Sequence, residues 1–157
     1  MSNKFRFKIV VEIETKRDLT KMLLERDDLP NHVFETTKAI KAIVDANTTS
    51  GFSIVSWTGD NSGSSTVGHG LGKTAEFVAI KNRADSANWQ VKHKGNASNA
   101  SQSLDATDAE SSRAGSTNGG IADLSGTTTF GFIAGSAGVP AANGASDAMI
   151  AYVWNSV

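Results

Sequence analysis

Three histidines, His32, His69 and His93, are the only side chains of this 157-residue chain whose usual pKa lies near neutral pH. His69 lies in the run GHGLG, where a metal ligand or a base is one interpretation. A structural histidine bonded to its own tight glycine turn is the other, and we favour it. No histidine pair has HExxH spacing, and no GxSxG nucleophile elbow occurs. The absence of cysteine excludes disulfides and thiolate chemistry. We therefore predict no catalytic site, no metal and no cofactor, and so no enzyme.

A short acidic run offers a second kind of chemistry. Asp105, Asp108 and Glu110 could supply oxygen ligands to Ca²⁺. Their spacing matches no EF-hand loop, so we predict a solvated loop there instead.

Aromatic side chains offer a third kind of chemistry, because flat rings stack on sugars while nearby polar groups bind hydroxyls. Trp57, Trp89, Tyr152 and Trp154 are the rings with this capacity. A position in the core or between subunits is the competing interpretation, and we favour it. The candidate contacts to a ligand or host surface are Trp57, His69, Trp89 and His93.

The composition divides the chain into two parts that must position these side chains. All 15 glycines lie after residue 50, and 17 of the first 50 residues are charged against 14 of the remaining 107. The change falls in the polar run Asn47–Gly51, which is typical of a turn or linker. We predict an N-terminal segment over residues 1–50 and a glycine-rich domain over residues 51–157.

The N-terminal segment is predicted to contain one strand and two helices. Residues 5–14 alternate apolar with charged side chains, as a strand with one buried face does. Residues 15–28 favour a short helix, Pro30 interrupts it, and Asn31 could cap a second helix whose apolar stripe reaches Ile43 or Val44. About 50 residues bury too little apolar surface to fold alone, so we predict an attachment segment. Its candidate attachment residues are Phe5, Phe7, Ile9, Val33, Phe34 and Ile40.

The glycine-rich domain is predicted to be a set of short strands joined by turns. The predicted strands cover residues 51–59, 76–83, 88–95, 127–134 and 148–154, and residues 96–120 are too polar to supply a core. Strands of this kind without a helical pattern indicate an antiparallel β-sandwich, jelly-roll-like in topology. The fold class is therefore mainly β, with strand–helix–helix preceding the sandwich. The last strand is expected to pair inside its sheet.

Charge and hydropathy exclude two classes of partner. The net charge of −1 argues against a nucleic-acid binder that works through a broad basic surface. No apolar run reaches 18 residues, so no membrane insertion is expected.

Four runs in order resemble a module of phage tail-fibre and other virion-surface proteins. They are GFSIVSWTG at Gly51–Gly59, HGLG at His69–Gly72, KNR at Lys81–Arg83 and WQVKH at Trp89–His93. The closing run IAYVW at Ile150–Trp154 is similar to the family's final aromatic strand. The resemblance implies a non-enzymatic virion component and does not cover residues 1–50.

Together these observations predict a bacteriophage structural protein displayed on the virion surface, as a capsid decoration or a tail-fibre or tip component. Its localisation would be the virion, assembled in the bacterial host cytoplasm. Its expected partners are other capsid or tail proteins, further copies of itself (a trimer among the forms considered), and a host-surface glycan. The alternative is a free, lectin-like carbohydrate-binding module.

Overall fold

A computed structural model of the protein describes residues 39–157. This part is mainly β, with a single turn of helix. The strands are β1 (Ala39–Ile40), β2 (Ala42–Asn47), β3 (Phe52–Thr58), β4 (Thr66–Gly68), β5 (Phe77–Asn82), β6 (Gln90–His93), β7 (Ala100–Ser103), β8 (Ser111–Ser112), β9 (Gly120–Ile121), β10 (Thr129–Ile133) and β11 (Ala148–Trp154), and the helix α1 is Pro140–Asn143.

The strands form two sheets, an arrangement consistent with a β-sandwich. The smaller sheet has the order β1-β4-β10-β9, and the larger has the order β2-β3-β11-β5-β6-β7-β8. Neighbouring strands in the described part are antiparallel, except that β1 and β4 are parallel. The chain changes from the smaller to the larger sheet between β1 and β2, at Lys41.

The core lies between the inner faces of the two sheets. Alternate side chains of β3 and β11 point inward, because successive residues of a strand face opposite sides. The Trp57 ring packs edge-on against Phe130 of the smaller sheet, with 5.7 Å between centroids. Full burial of a large apolar side chain contributes roughly 2 kcal/mol, so this layer supplies much of the fold's stability. The buried core includes Val55, Trp57, Val67, Val78, Ile80, Ile121, Phe130, Phe132, Met149, Ala151 and Val153.

The predicted strands of the glycine-rich part are confirmed in position. β5 is central in the larger sheet, between β11 and β6, and the closing strand β11 pairs with both β3 and β5. Residues 96–120, expected to be too polar to supply a core, contain β7, β8 and the first residue of β9, and Ala100 and Ser101 of β7 are buried. Backbone hydrogen bonds pair β7 with β6 and with β8, and such pairing needs little apolar side-chain surface.

The second predicted helix is wrong over residues 39–44, where the structure has β1 and the first half of β2. β2 pairs along its whole length with β3, and the β-branched pair Ile43 and Val44 suits that pairing better than a helix. Asn47 begins the turn of this hairpin: its Oδ1 accepts hydrogen bonds from the backbone N–H groups of Thr49 and Ser50. The polar run that composition marks as a junction is therefore a hairpin turn.

One candidate attachment residue falls within the described part. Ile40, in β1, is partly buried and packs against the core. The others, Phe5, Phe7, Ile9, Val33 and Phe34, lie outside the described residues, as do the predicted first strand and first helix. The attachment segment stays a prediction.

Candidate functional site

Trp57 is an interior residue. Its side chain is 5% exposed, and its indole Nε1–H donates a hydrogen bond to the Oδ1 of Asn143 over 3.0 Å. Asn143 in turn donates to Asp60 Oδ1 over 2.7 Å. This partnered position gives Trp57 a role in core packing and leaves no ring face for a ligand.

His69 is buried in its own loop. Its backbone N–H donates to the carbonyl of Thr128, and its Nδ1 accepts the N–H of Leu71 over 3.3 Å. Gly70 and Gly72, which flank Leu71, have φ of +72° and +69°, the left-handed region that favours glycine. Burial lowers the pKa of His69, with a backbone hydrogen bond to Gly126 acting in the opposite direction. This geometry matches the structural interpretation of the GHGLG turn.

Trp89 and His93 lie on the outer side of the larger sheet, the side turned away from the core. Trp89 is half-buried, with its ring 6.0 Å from that of Tyr152. His93 is exposed at the end of β6 and is the register partner of Phe77. Its Nδ1 accepts the N–H of Gly95 over 3.0 Å. Two of the four candidate contact residues are therefore accessible from the surface.

Five aromatic side chains form a continuous group on this outer side, which we call the aromatic face: Phe52, Phe77, Trp89, Tyr152 and Trp154. Trp154 lies 5.0 Å from Phe52 and 5.4 Å from Phe77 between ring centroids. Tyr152 lies 6.4 Å from Phe52 and 6.0 Å from Trp89. Each ring thus touches at least one other ring of the group.

Strand register explains why these rings meet. Trp154 of β11 is directly opposite Phe52 on one side and Phe77 on the other. Residues directly opposite on adjacent strands have Cβ atoms about 5 Å apart, close enough for ring contact. Tyr152 precedes Trp154 by two residues and so points to the same side. The pairing of three strands therefore assembles an aromatic row from residues far apart in sequence.

The aromatic face is partly open to solvent. Trp154 is 40% exposed and the neighbouring Ile54 is 36% exposed, while the other four rings are intermediate in burial. The smaller sheet packs on the opposite side of the larger sheet, through the core residues. Exposed aromatic groups of this kind mark interaction surfaces more often than isolated exposed residues do.

An ion pair lies at the end of the larger sheet beside the aromatic face, where the backbone N–H of Glu76 donates to the carbonyl of Trp154. Lys94 Nζ donates to Glu76 Oε1 over 2.5 Å, and the Ser156 hydroxyl donates to the same oxygen over 3.2 Å. The hydrogen bond from Lys94 lowers the pKa of Glu76, with a smaller contribution from Ser156. The border is therefore polar but carries little net charge.

The inner side of β6 carries a buried cation in place of apolar side chains. Lys92 is 2% exposed, and its Nζ donates to Asp123 Oδ1 over 2.8 Å and to the carbonyl of Ala97 over 3.1 Å. The Ser98 hydroxyl and the Asn99 N–H also donate to Asp123. The hydrogen bond from Lys92, followed by those from Ser98 and Asn99, lowers the pKa of Asp123 to about 2. This closed network ties the polar loop of residues 96–99 to the core.

The acidic run of residues 105–110 is dispersed in the structure. Asp105 accepts the backbone N–H of Trp89, and Glu110 accepts hydrogen bonds from Asn96 and Ala97. Asp108 lines a polar cavity of about 340 Å³. Within residues 39–157, no three histidine, aspartate or glutamate side chains gather in a way that could hold a metal ion.

No helix among residues 39–157 has the length and apolar character needed to cross a bilayer.

Reasoning from the sequence identified three aromatic members of this site, Trp89, Tyr152 and Trp154, but missed Phe52 and Phe77 as site residues. Both phenylalanines lie in predicted strands, where their alternation was visible. Their membership depends on which strands are neighbours, and only the pairing of β11 with both β3 and β5 reveals it.

A family model described as "Domain of unknown function (DUF7483)" matches residues 30–157. No curated protein and no solved structure matches the chain. The matched span includes all of the described strands and both surfaces of the larger sheet. The chain therefore belongs to the family of domains of unknown function DUF7483.

Proposed function

We propose that this protein is a non-catalytic structural protein of the bacteriophage surface, and that its aromatic face binds another virion protein. The observation that carries the proposal is the partly exposed row of five contacting rings on the outer side of the seven-stranded sheet. The phage assignment rests on the resemblance of the four motif runs. The location would be a capsid decoration or a tail-fibre or tip position.

The aromatic face suits a protein partner better than a small ligand. Protein interfaces are enriched in Trp, Tyr and Phe at their centres, surrounded by a polar border. Here the rings form the centre, and the Glu76–Lys94 pair contributes to the border. The rings also contact one another at 5.0 to 6.4 Å, which occupies part of each ring's own surface.

The proposal extends to topology and to the N-terminal segment. The sandwich would be jelly-roll-like, and the residues that precede β1 would attach the domain to the particle. The strands of the described part are short and joined by glycine turns, which supports a display role.

Carbohydrate binding is the second candidate, because Trp154 exposes 40% of its surface beside hydrogen-bonding groups of the border. A sugar ring would stack on Trp154 while Glu76 or Lys94 binds its hydroxyls. A host-surface glycan could be contacted in this way by a virion protein or by a free lectin-like module.

The direct experiment is mass spectrometry of purified particles of the source phage. The proposal predicts this chain in the particles at a copy number comparable to that of other surface proteins. Its absence from particles would contradict the proposal. A glycan array then separates the candidates: sub-millimolar binding that is lost in Trp154→Ala, with no chain in the particles, supports the free carbohydrate-binding module.

A further inference from the structure

The longest free sheet edge in the described part is strand β2. The two sheets have four edge strands: β1, β8 and β9 contain two residues each, whereas β2 contains six, Ala42–Asn47. A short edge offers few backbone groups to another chain, and a long one offers a row of N–H and C=O groups ready for pairing.

β2 also lacks the usual features that prevent pairing at an edge. It contains no proline and one charged residue, Asp45. Ile43 is 77% exposed and Val44 is 39% exposed. Proteins that keep an edge free commonly place charges, prolines or bulges there, so this apolar edge favours a partner strand.

The sequence of the edge is complementary to itself in one antiparallel register. When Ile43 of one copy lies opposite Ile43 of a second copy, Lys41 lies opposite Asp45 in both directions. The same register sets Ala42 opposite Val44. Because residues two apart share a side of the sheet, the two ion pairs and the Ile43 pair all lie on the outer side.

We propose that two copies of this chain pair antiparallel through residues 41–45, at the N-terminal end of β2, about a twofold axis through Ile43. The two larger sheets then form one continuous sheet of fourteen strands, twice the seven of a single copy. Because matched residues lie on the same side, the two aromatic faces also lie on one side of the joined sheet. A symmetric dimer of this kind needs only one self-complementary surface. The proposal does not depend on the virion function.

Sedimentation velocity of the full chain over a wide concentration range tests the pairing. The unmodified chain should show a reversible monomer–dimer equilibrium. Lys41→Asp sets a new carboxylate opposite Asp45 twice per dimer and should weaken dimerisation about ten-fold, given the usual size of cross-strand charge effects. The double variant Lys41→Asp with Asp45→Lys restores opposite charges and should recover most of the affinity.

Two further variants complete the experiment. Lys73→Asp makes the same charge change at an exposed loop residue and should leave the dimer unaltered. Ile43→Lys brings two cations together at the axis and should give a folded monomer, with circular dichroism verifying the fold. A monomer at every concentration, a trimer, or a dimer insensitive to the charge reversals would each overturn the proposal.

Discussion

At the scale of single residues, the interior of this domain holds a buried charge that depends on its hydrogen-bond partners. The Lys92 side chain is only 2% exposed. Its burial is tolerated because Asp123 and the carbonyl of Ala97 accept hydrogen bonds from its ammonium group. Removing one partner of a buried pair leaves the other charge without compensation, which costs more than the pair itself contributes.

We expect Asp123→Asn to lower the free energy of unfolding by about 2 kcal/mol at neutral pH, below the full cost of breaking a buried pair because Asp123 is partly exposed. Urea denaturation measures this change. Lys92→Met is the control, since it removes the buried charge and should make Asp123→Asn nearly neutral in the double variant. If Asp123→Asn costs the same in the Lys92→Met background as in the unmodified chain, the ion pair is not responsible.

The lowered pKa of Asp123 also predicts an acid dependence. Its pKa is about 2 in the folded chain against an ordinary value of 3.8. The unfolded chain therefore takes up the proton first, so this stabilisation is complete above about pH 4 and is lost as the pH falls toward 2. In the Asp123→Asn variant, the free energy of unfolding should fall less steeply with decreasing pH over this range than it does in the unmodified chain.

His69 predicts a second pH effect, nearer neutrality. Its pKa is lowered in the folded chain because burial penalises the charged imidazolium. The contribution of neutral His69 to the free energy of unfolding is therefore complete above the ordinary pKa of 6.5. It is lost as the pH falls from there through the lower pKa of the folded chain. The His69→Asn variant can still accept the N–H of Leu71 but does not titrate. Its free energy of unfolding should therefore change less with pH between pH 7 and about 5 than that of the unmodified chain. An unchanged slope would contradict this.

At the scale of elements, hairpin turns and strand register decide where side chains meet. Alternation in the sequence identifies β3, β5, β10 and β11, because half-buried strands leave a clear period of two. The same reasoning mistakes β2 for a helix, since Ile40, Ile43 and Val44 also fit a helical stripe. Pairing with β3 outweighs that local pattern.

The candidate site was predictable to a similar degree. Periodicity locates Trp89 and Trp154 in strands but does not say which strands are neighbours. Phe52 and Phe77 join the aromatic face only because β11 lies between β3 and β5. Trp57 is a candidate on the same grounds as Trp89 and Trp154, because each is a tryptophan in a predicted strand. Its position in β3, however, turns its side chain toward the core. Non-local pairing is the information that a single sequence lacks.

The turn that joins β2 to β3 gives a prediction at this scale. Gly51 has φ of +66°, and a Cβ there would lie 2.4 Å from the carbonyl oxygen of Asn155. Gly51→Ala should therefore destabilise the domain both by backbone strain, about 1 kcal/mol, and by the clash. Gly72→Ala is a matched control, with φ of +69° but no atom within 4 Å of the added Cβ. An equal loss of thermal stability in the two variants would contradict a clash between the added Cβ and Asn155.

At the scale of the whole domain, two surfaces of the larger sheet are proposed to bind different partners. In this proposal the aromatic face binds a heterologous partner on the particle, and the β2 edge binds a second copy. A sheet that joins across a dimer would present two aromatic faces side by side, and two linked contacts bind more strongly than one.

Incorporation of a Trp154→Ala and Trp89→Ala double variant into phage particles tests the central claim most directly. Mass spectrometry of purified particles should show about ten-fold less of this variant than of the unmodified chain, because aromatic anchors carry most of the energy of an interface. Lys73→Ala, which changes an exposed residue of the loop between β4 and β5, should be incorporated normally. Thermal denaturation verifies that both variants fold. Undiminished incorporation of the folded double variant would contradict the claim.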